Sequence, residues 1–202
     1  LYDIQNQTKK INLKPKIICE IGAGYGALSR LLIKKYKNAK YIIYDLPEAN
    51  YLSSYYLLKN NPKKKFLFYC DVKNKNLSLK DIKNYDIIIV PPWVNLKDIK
   101  IDIFLNIRSF MEMDKNVIKK YFKLIQKRIN TNGIFVNINR YEKRTVGYPV
   151  RIAEYPYDGK WKVIKSEPTL NSSHSHTLIT ERKLQNFDIK SELKKIKNLT
   201  II

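Results

Sequence analysis

The densest group of residues that could bind a ligand is a glycine-rich segment near the N-terminus. It reads Glu-Ile-Gly-Ala-Gly-Tyr-Gly over residues 20–26 and overlaps the end of a β-branched run, Lys16 to Ile21. Glycines at such a turn let the backbone bend tightly and approach a bound molecule closely. In a doubly wound sheet, the turn after the first strand lies where ligands bind. The segment therefore predicts a ligand-binding loop whose candidate contacts are Glu20, Gly22, Ala23, Gly24 and Gly26.

A carboxylate follows the next apolar run of the sequence. Asp45 lies 23 positions after Gly22 and ends the run Tyr41 to Tyr44. At the end of a second strand, a carboxylate can accept hydrogen bonds from both hydroxyls of a ribose. Together with the glycine segment, Asp45 and the adjacent Leu46 predict a cofactor that contains adenosine.

The spacing alone leaves two cofactor classes open. Gly22, Gly24 and Ala27 also fit the G-x-G-x-x-A pattern of dinucleotide-binding proteins. Glu20 favours a different ligand, because a bound pyrophosphate would bring negative charge close to its carboxylate. The ammonium and sulfonium groups of S-adenosyl-L-methionine suit a carboxylate better. We therefore favour this cofactor, and an NAD(P)-dependent oxidoreductase is the alternative; a purely structural role for Glu20 also stays open.

Further segments extend the pattern beyond the glycine loop. The order Glu-x-Gly-x-Gly-x-Gly, then Tyr-Asp-Leu-Pro-Glu over residues 44–48, resembles class I S-adenosylmethionine-dependent methyltransferases. The segments 91–93, 106–113 and 139–143 make the chain similar to the sugar O-methyltransferase family of bacterial surface-polysaccharide loci. The resemblance runs from about Lys16 to Arg182, which is nearly the whole chain.

The resemblance implies a Rossmann-like methyltransferase fold of the α/β class. Its sheet would have seven mostly parallel strands, with an antiparallel C-terminal hairpin strand and helices on both faces. It also implies that Glu20 and the three glycines contact the methionine end of the cofactor and that Asp45 binds the ribose. An adenine pocket is implied near Pro91, Pro92 and Trp93. The acceptor would be a sugar or nucleotide-sugar hydroxyl, so the expected function is O-methyl transfer in polysaccharide biosynthesis.

The acceptor is expected near the carboxyl ends of two later strands, because ligands of open α/β sheets bind there. Asn106 ends one of these strands and should contact the cofactor near its methyl group. The planar guanidinium of an arginine can hold a phosphate or carboxylate of the acceptor. Candidate substrate contacts after the two strands are Arg108, Arg140 and Tyr141.

Methyl transfer to a sugar hydroxyl requires a group that removes the hydroxyl proton. Glu112 is one candidate base, and the two histidines, His174 and His176, are the others. A histidine near its ordinary pKa of ~6.5 suits neutral pH. The His-x-His spacing could also bind a metal, but the sequence offers no matching third ligand, so we predict no metal site.

Alternating strands and helices should position these residues. Apolar runs predict strands over 16–21, 41–44, 66–70, 85–90, 101–106 and 133–139, with a late hairpin of 161–164 and 177–180. Helical spacing predicts one helix through Leu28 to Tyr36, a second over Pro47 to Asn60, and a third through Ile118 to Ile129, closed by Asn132-Gly133. A weaker helical pattern follows Leu184. Continuous apolar strands between helices favour a mostly parallel sheet.

The strong positive charge is a weaker guide to function. The sequence has 39 Lys and Arg against 18 Asp and Glu, a formal net charge of +21. Only seven of the basic residues are arginines, and the lysines are spread over the whole chain. We therefore predict no specific nucleic-acid partner, although a non-catalytic basic module that binds RNA or an anionic membrane stays an alternative. An RNA acceptor is disfavoured because no Asn/Asp-Pro-Pro-Tyr/Phe motif follows Asn106.

The 202 residues predict a single domain over 1–202 with a core of about 16–182. The sequence begins at Leu1 rather than Met, and we expect an N-terminal part of the full protein to precede it. No apolar run reaches the ~18 residues of a membrane-spanning helix. Cys19 and Cys70 lie in apolar runs and are expected to be buried reduced thiols in a cytoplasmic protein. Self-association and contact with an anionic membrane stay open.

Overall fold

The computed structural model describes residues 1–144, 147–170 and 172–199. The chain divides into two compact units, Leu1–Phe104 and Leu105–Ile202. The prediction of a single domain stays a prediction.

The first unit alternates helices and strands, as the apolar pattern predicts. Its helices are α1 Tyr2–Lys10, α2 Ala27–Lys35, α3 Pro47–Asn60 and the short α4 Leu79–Ile82. Its strands are β1 Ile17–Ile21, β2 Lys40–Tyr44, β3 Phe66–Phe68, β4 Asn76–Leu77, β5 Ile87–Val90, β6 Asn95–Leu96 and the first part of β7 Ile101–Ile107. The strand order is β7-β1-β2-β5-β3, and β4 pairs separately with β6. The pairs of β1 with β2, β2 with β5 and β5 with β3 are parallel.

The second unit contains the antiparallel part of the fold. Its elements are the end of β7, α5 Lys115–Arg128, β8 Ile129–Arg140, β9 Glu142–Lys143, β10 Val150–Arg151, β11 Trp161–Thr169, β12 Ser172–Arg182 and α6 Ile189–Asn198. The strand order is β11-β12-β8-β7, and β12 is antiparallel to both β8 and β11. Counting β7 once, the two strand orders contain eight strands, where seven were predicted. The α/β class and the late antiparallel hairpin are confirmed.

Each unit has its own apolar core. In the first unit every residue of β1 and β5 is buried, and all of them except Glu20 are apolar. In the second unit an aromatic cluster fills the space beside α5, where the rings of Phe122 and Tyr157 lie 4.8 Å apart at 78°. Phe110 and Phe135 also pack against Phe122. Burying each such side chain contributes ~1.5–3 kcal/mol.

Several sequence-based boundaries are wrong: the hairpin strands predicted over 161–164 and 177–180 are Trp161–Thr169 and Ser172–Arg182, and the strands predicted from 85 and 133 begin at Ile87 and Ile129. Two further boundaries have a clear local cause. The strand predicted over 66–70 ends at Phe68, because the carboxylate of Asp71 accepts a hydrogen bond from the Phe68 N–H and closes a 3-10 turn. Cys70 lies in that turn and is exposed, so the expected burial of its thiol is also wrong, whereas Cys19 is buried. The third predicted helix ends at Arg128 rather than at Asn132-Gly133, since the backbone is already extended at Ile129 and continues as β8.

Candidate functional site

The glycine loop connects β1 to α2, as its spacing predicts. Gly22, Gly24 and Gly26 all have positive φ angles, of 76°, 57° and 90°. A side chain at Gly26 would lie 3.2 Å from the Leu57 side chain of α3, whereas the space beside Gly24 is open to 4 Å. The loop is therefore packed against the protein at Gly26, and at Gly24 it leaves room for a bound molecule.

Asp45 lies directly after β2 and holds the glycine loop. Its Oδ2 accepts a hydrogen bond of 2.8 Å from the backbone N–H of Gly24, and its Oδ1 accepts one of 2.8 Å from the N–H of Leu46. Partial burial raises the pKa of the Asp45 carboxyl, while these backbone hydrogen bonds lower it in part. Leu46 is exposed at the start of α3. Asp45 therefore lies beside the glycine loop; its binding of a ribose stays a prediction.

Glu20 is buried at the end of β1. Its Oε2 accepts hydrogen bonds of 2.6 Å from the hydroxyls of Ser29 in α2 and Tyr41 in β2. Burial raises the pKa of the Glu20 carboxyl, and the two hydrogen bonds offset part of that rise. Within the described part of the chain, Oε1 accepts no hydrogen bond. The sequence did not indicate Ser29 and Tyr41 as partners, since they lie 9 and 21 positions away.

An apolar pocket opens beside Asp45 within the first unit, and we call it the Trp93 pocket. Its volume is about 390 Å³, and its walls are Pro47, Asn50, Tyr51, Ser54, Phe68, Tyr69, Cys70, Ile89, Pro91 and Trp93. The rings of Tyr69 and Trp93 meet edge to face, 5.8 Å apart. Pro91 and Trp93 were predicted to border an adenine pocket. Pro92 lies between them in the chain and is exposed.

The second unit brings together the three other segments that the sequence singled out. The N–H of Tyr141 donates to the carbonyl of His174 at 3.0 Å, and the Nζ of Lys143 forms an ion pair of 2.6 Å with Glu112. The N–H of Met111 donates to Asn139 at 3.3 Å. Residues 106–112, 139–143 and 172–176 are therefore neighbours at one edge of this unit. The strand ends predicted this for the first two segments but not for 172–176.

Asn106 is fully buried and organises this edge. Its Oδ1 accepts hydrogen bonds from the Phe110 N–H at 3.0 Å and from the Asn139 amide at 2.9 Å. The Asn139 amide also donates to Asn137, whose own amide donates to Tyr157 at 3.0 Å. These contacts support a structural role for Asn106. Its predicted contact with the cofactor stays a prediction.

The candidate bases differ in their surroundings. His176 is buried, and its ring nitrogens lie 3.1 Å from the Tyr141 hydroxyl and 2.8 Å from the Ser166 hydroxyl. Burial lowers the pKa of His176 and raises that of Tyr141. Both side chains are thus part of an internal hydrogen-bonded group. Glu112 and His174 are exposed, and of the two only Glu112 has an ion-pair partner among the described residues.

The two candidate arginines have no charged or hydrogen-bonding partner for their side chains among the described residues. Arg108 is exposed and Arg140 half-buried, and neither side chain forms an ion pair or hydrogen bond with another described residue. Arg108 has a positive φ angle of 59°, which is unusual for a residue with a side chain. Its N–H donates to the Ile138 carbonyl at 2.7 Å, and this bond holds the turn.

No group of three or more metal-ligating side chains occurs in residues 1–144, 147–170 and 172–199. No helix within these ranges is long and apolar enough to cross a membrane. The predicted cytoplasmic location and the predicted lack of a metal stay predictions.

The strand orders, the glycine loop after β1 and the carboxylate after β2 define the fold of class I S-adenosylmethionine-dependent methyltransferases. Solved structures with this fold include an S-adenosylmethionine-dependent methyltransferase from Clostridium acetobutylicum, with a TM-score of 0.59 and 12% identity over 89% of each chain. A methyltransferase from Pyrococcus furiosus has a TM-score of 0.55 and 13% identity over 91% of this chain and 83% of its own.

A third similar structure is the mitomycin 7-O-methyltransferase MmcR, with a TM-score of 0.54 and 14% identity over 83% of this chain and 49% of its own. The chain spans about half the length of MmcR and of the pyocyanin biosynthetic protein PhzM. No protein-family model matches the sequence, and a search of curated proteins gives no match. At these identities the likeness establishes the fold.

Proposed function

We propose that the protein is an S-adenosylmethionine-dependent O-methyltransferase and that its first unit holds the cofactor. The observation that carries this proposal is the hydrogen bond between Asp45 and Gly24, which fixes a carboxylate beside an open glycine loop and next to the Trp93 pocket. The methyltransferase fold of the similar structures supports it. MmcR, by its name, is itself an O-methyltransferase.

The residues of the first unit fit the chemical groups of this cofactor. The Asp45 carboxylate suits the two ribose hydroxyls, and the rings of the Trp93 pocket suit a flat adenine. Oε1 of Glu20 is available to a cationic group, since the hydrogen bonds of this carboxylate to the described residues Ser29 and Tyr41 both end on Oε2. The cofactor supplies a methyl group already activated on a sulfonium, so the protein must mainly align the acceptor and take up its proton.

For the acceptor, we propose a hydroxyl of a sugar or nucleotide-sugar used in surface polysaccharide. The guanidinium groups of Arg108 and Arg140 form no ion pair with any residue that the structure describes, which supports an acceptor that carries a phosphate or carboxylate. Glu112 and His174 are the proposed bases, because both are exposed. The burial of His176 and Tyr141 favours structural roles for these two residues over the predicted catalysis and substrate contact.

The alternative of a nicotinamide-dependent oxidoreductase is less well supported. A dinucleotide places its pyrophosphate at the N-terminus of the helix that follows the glycine loop, which here is α2. Here the buried Glu20 carboxylate bonds to Ser29 in the first turn of that helix. A nearby carboxylate opposes a pyrophosphate and favours a cationic ligand.

Calorimetry with the purified protein tests the proposal directly. We expect S-adenosylhomocysteine and S-adenosylmethionine to bind at one site per chain and NADH to give no heat of binding. Mass spectrometry of polysaccharide precursors incubated with the protein and S-adenosylmethionine should then find a product that has gained CH₂. Binding of NADH instead of both adenosyl ligands would reject the methyltransferase in favour of the oxidoreductase.

A further inference from the structure

Helix α3 exposes a row of apolar side chains to solvent. Leu57 is fully buried against the first unit, whereas Tyr51 is 77% and Tyr55 63% exposed. Leu52 and Leu58 are exposed as well. Side chains three and four positions apart lie on one side of a helix, so these four residues share one face. With the two exposed charged residues of the same spacing, the α3 face consists of Glu48, Tyr51, Leu52, Tyr55, Leu58 and Lys59.

The α3 face is large enough to be an interface. It continues across Tyr56 to the exposed ring of Tyr25, and these two rings meet edge to face at 5.3 Å. Three tyrosines and two leucines of this surface are 43–77% exposed, which corresponds to apolar area on the order of 500 Å² per copy. Two such surfaces together supply the ~1,000 Å² that a specific interface needs. Contiguous exposed apolar residues of this kind mark interaction sites.

Charge indicates which partner fits this face. The chain has a formal net charge of +21, and α5 alone has six basic residues and no acidic one. Of the helices of nine or more residues that the structure describes, only α3 has no net charge. A nucleic acid or an anionic membrane would be attracted to the lysine-rich helices instead. A second copy of this basic chain would be repelled from those helices and meets the least repulsion at α3.

The two charges of the α3 face lie at opposite ends of it. Glu48 lies four positions before Leu52, and Lys59 lies four positions after Tyr55. The Nζ of Lys59 lies 5.3 Å from the centroid of the Tyr55 ring, so its charge belongs to this face. Two antiparallel α3 helices, related by a two-fold axis between Leu52 and Tyr55, would bring Glu48 of each copy beside Lys59 of the other. The face is therefore complementary in charge to a second copy of itself.

We propose that the protein forms a homodimer in which two α3 faces pack antiparallel and form two ion pairs between Glu48 and Lys59. The interface is isologous, because each copy contributes the same residues to it. Leu52 of one copy packs against Tyr55 of the other at the centre. Tyr51 also borders the Trp93 pocket, so the interface lies beside the proposed cofactor site. The dimer itself does not depend on methyl transfer.

Analytical ultracentrifugation over a series of protein concentrations, at an ionic strength of about 0.15 M, tests the dimer. We expect the wild-type protein to reach twice its monomer mass of 23.9 kDa. Leu52→Glu places a charge at the centre of the interface and should weaken the dimer at least tenfold. Leu184→Glu makes the same change at a leucine that is 75% exposed outside α3, and it should dimerise like the wild type. Circular dichroism verifies that both variants are folded.

Charge reversal tests the antiparallel pairing. Glu48→Lys and Lys59→Glu each replace two attractions by two repulsions, so each should weaken the dimer about tenfold. The first change raises the net charge of the chain and the second lowers it, so a general charge effect would change the two dimers in opposite directions. The double variant Glu48→Lys/Lys59→Glu should dimerise within about threefold of the wild type.

Three results would overturn the proposal. The first is a wild-type protein that stays monomeric at every concentration. The second is a dimer that persists in Leu52→Glu, since its interface would then lie elsewhere. The third is a double variant that is weakened at least as much as the single variants, because the two charges would then not face each other. None of these results bears on cofactor binding, which calorimetry measures separately.

Discussion

The carboxylate of Asp45 and the backbone N–H of Gly24 are joined by a hydrogen bond of 2.8 Å. The end of the second strand is thereby fixed to the middle of the glycine loop without any ligand. A site held in this way loses little conformational entropy when a ligand binds. We expect the same carboxylate to bind the ribose. Asp45 would then both stabilise the glycine loop and contact the ligand.

Substitution of Asp45 should therefore weaken cofactor binding strongly. In Asp45→Ala the ribose loses hydrogen bonds to a charged group, each of which contributes ~1.5–3 kcal/mol, so the affinity for S-adenosylhomocysteine should fall at least tenfold. Calorimetry measures this change. Glu48→Ala removes an exposed acid three positions away and is the matched control. An affinity of Asp45→Ala within about twofold of wild type would mean that the ribose is bound elsewhere.

Cofactor affinity should also depend on pH at mildly acidic values. Burial is the largest cause that raises the pKa values of Glu20 and Asp45, whose ordinary values are 4.5 and 3.8. Each group therefore takes up a proton at a higher pH than usual, and the protonated form binds a cation or a ribose less well. We expect the affinity for S-adenosylmethionine to fall as the pH is lowered, beginning above these ordinary values. Calorimetry at a series of pH values checks this, and Asp45→Asn should show a shallower dependence.

The raised pKa of Glu20 makes a separate prediction about stability. Because the folded-state pKa lies above the ordinary value, ionised Glu20 destabilises the fold at pH 7, and this cost disappears as the pH falls through the folded-state pKa. Glu20→Gln should therefore raise the melting temperature at pH 7, by about 2–4 °C for each kcal/mol gained, and the gain should shrink on acidification. Its affinity for S-adenosylmethionine should fall at the same time.

Tyr41→Phe is the contrasting variant, since it removes a donor to Glu20 and keeps the charge. It should lower the free energy of unfolding by ~1–3 kcal/mol. If Glu20→Gln and the wild-type protein have equal melting temperatures at every pH, burial of the ionised Glu20 carboxylate does not destabilise the fold.

The two cysteines should differ in their reaction with thiol reagents. Cys70 is exposed and lies in the wall of the Trp93 pocket, whereas Cys19 is fully buried in β1 and burial raises the pKa of its thiol. Mass spectrometry after treatment of the folded protein with iodoacetamide should find one label, on Cys70. S-adenosylhomocysteine should slow this labelling by covering the pocket wall, and Cys70→Ser should remain unlabelled. Labelling of Cys70 at the same rate with and without the ligand would place the ligand outside this pocket.

The candidate bases can be separated by turnover. A general base contributes ~10²–10⁴-fold to the rate, so the true base should lose this factor in Glu112→Gln or His174→Ala while the affinity for the cofactor stays unchanged. His176→Ala should instead lower the melting temperature, because it leaves the hydroxyls of Tyr141 and Ser166 without their partner. Wild-type turnover in both Glu112→Gln and His174→Ala would show that neither residue is the general base. Another group would then remove the proton, or alignment of the acceptor alone would be sufficient for the reaction.

Much of this arrangement could be predicted from local sequence. Periodicity and turn chemistry within a few residues predict the strand before Gly22, the helix from Pro47 to Asn60 and the position of the Asp45 carboxylate. These patterns can be read without knowledge of the tertiary structure. The wrong boundaries at Cys70 and at Asn132-Gly133 lie where a short turn or a direct helix-to-strand transition leaves no such signal.

Only the tertiary structure determined which polar side-chain atoms form hydrogen bonds with which partners. The sequence indicated Glu20 as a candidate ligand-binding carboxylate, but its hydrogen bonds to Ser29 and Tyr41 join residues on three different elements. The buried Oδ1 of Asn50, which accepts no hydrogen bond from the described residues, likewise could not be predicted, because an asparagine in a helix has no pattern that indicates a buried acceptor. Local periodicity fixes where strands and helices lie, whereas hydrogen-bond partners distant in sequence are set only when those elements pack together.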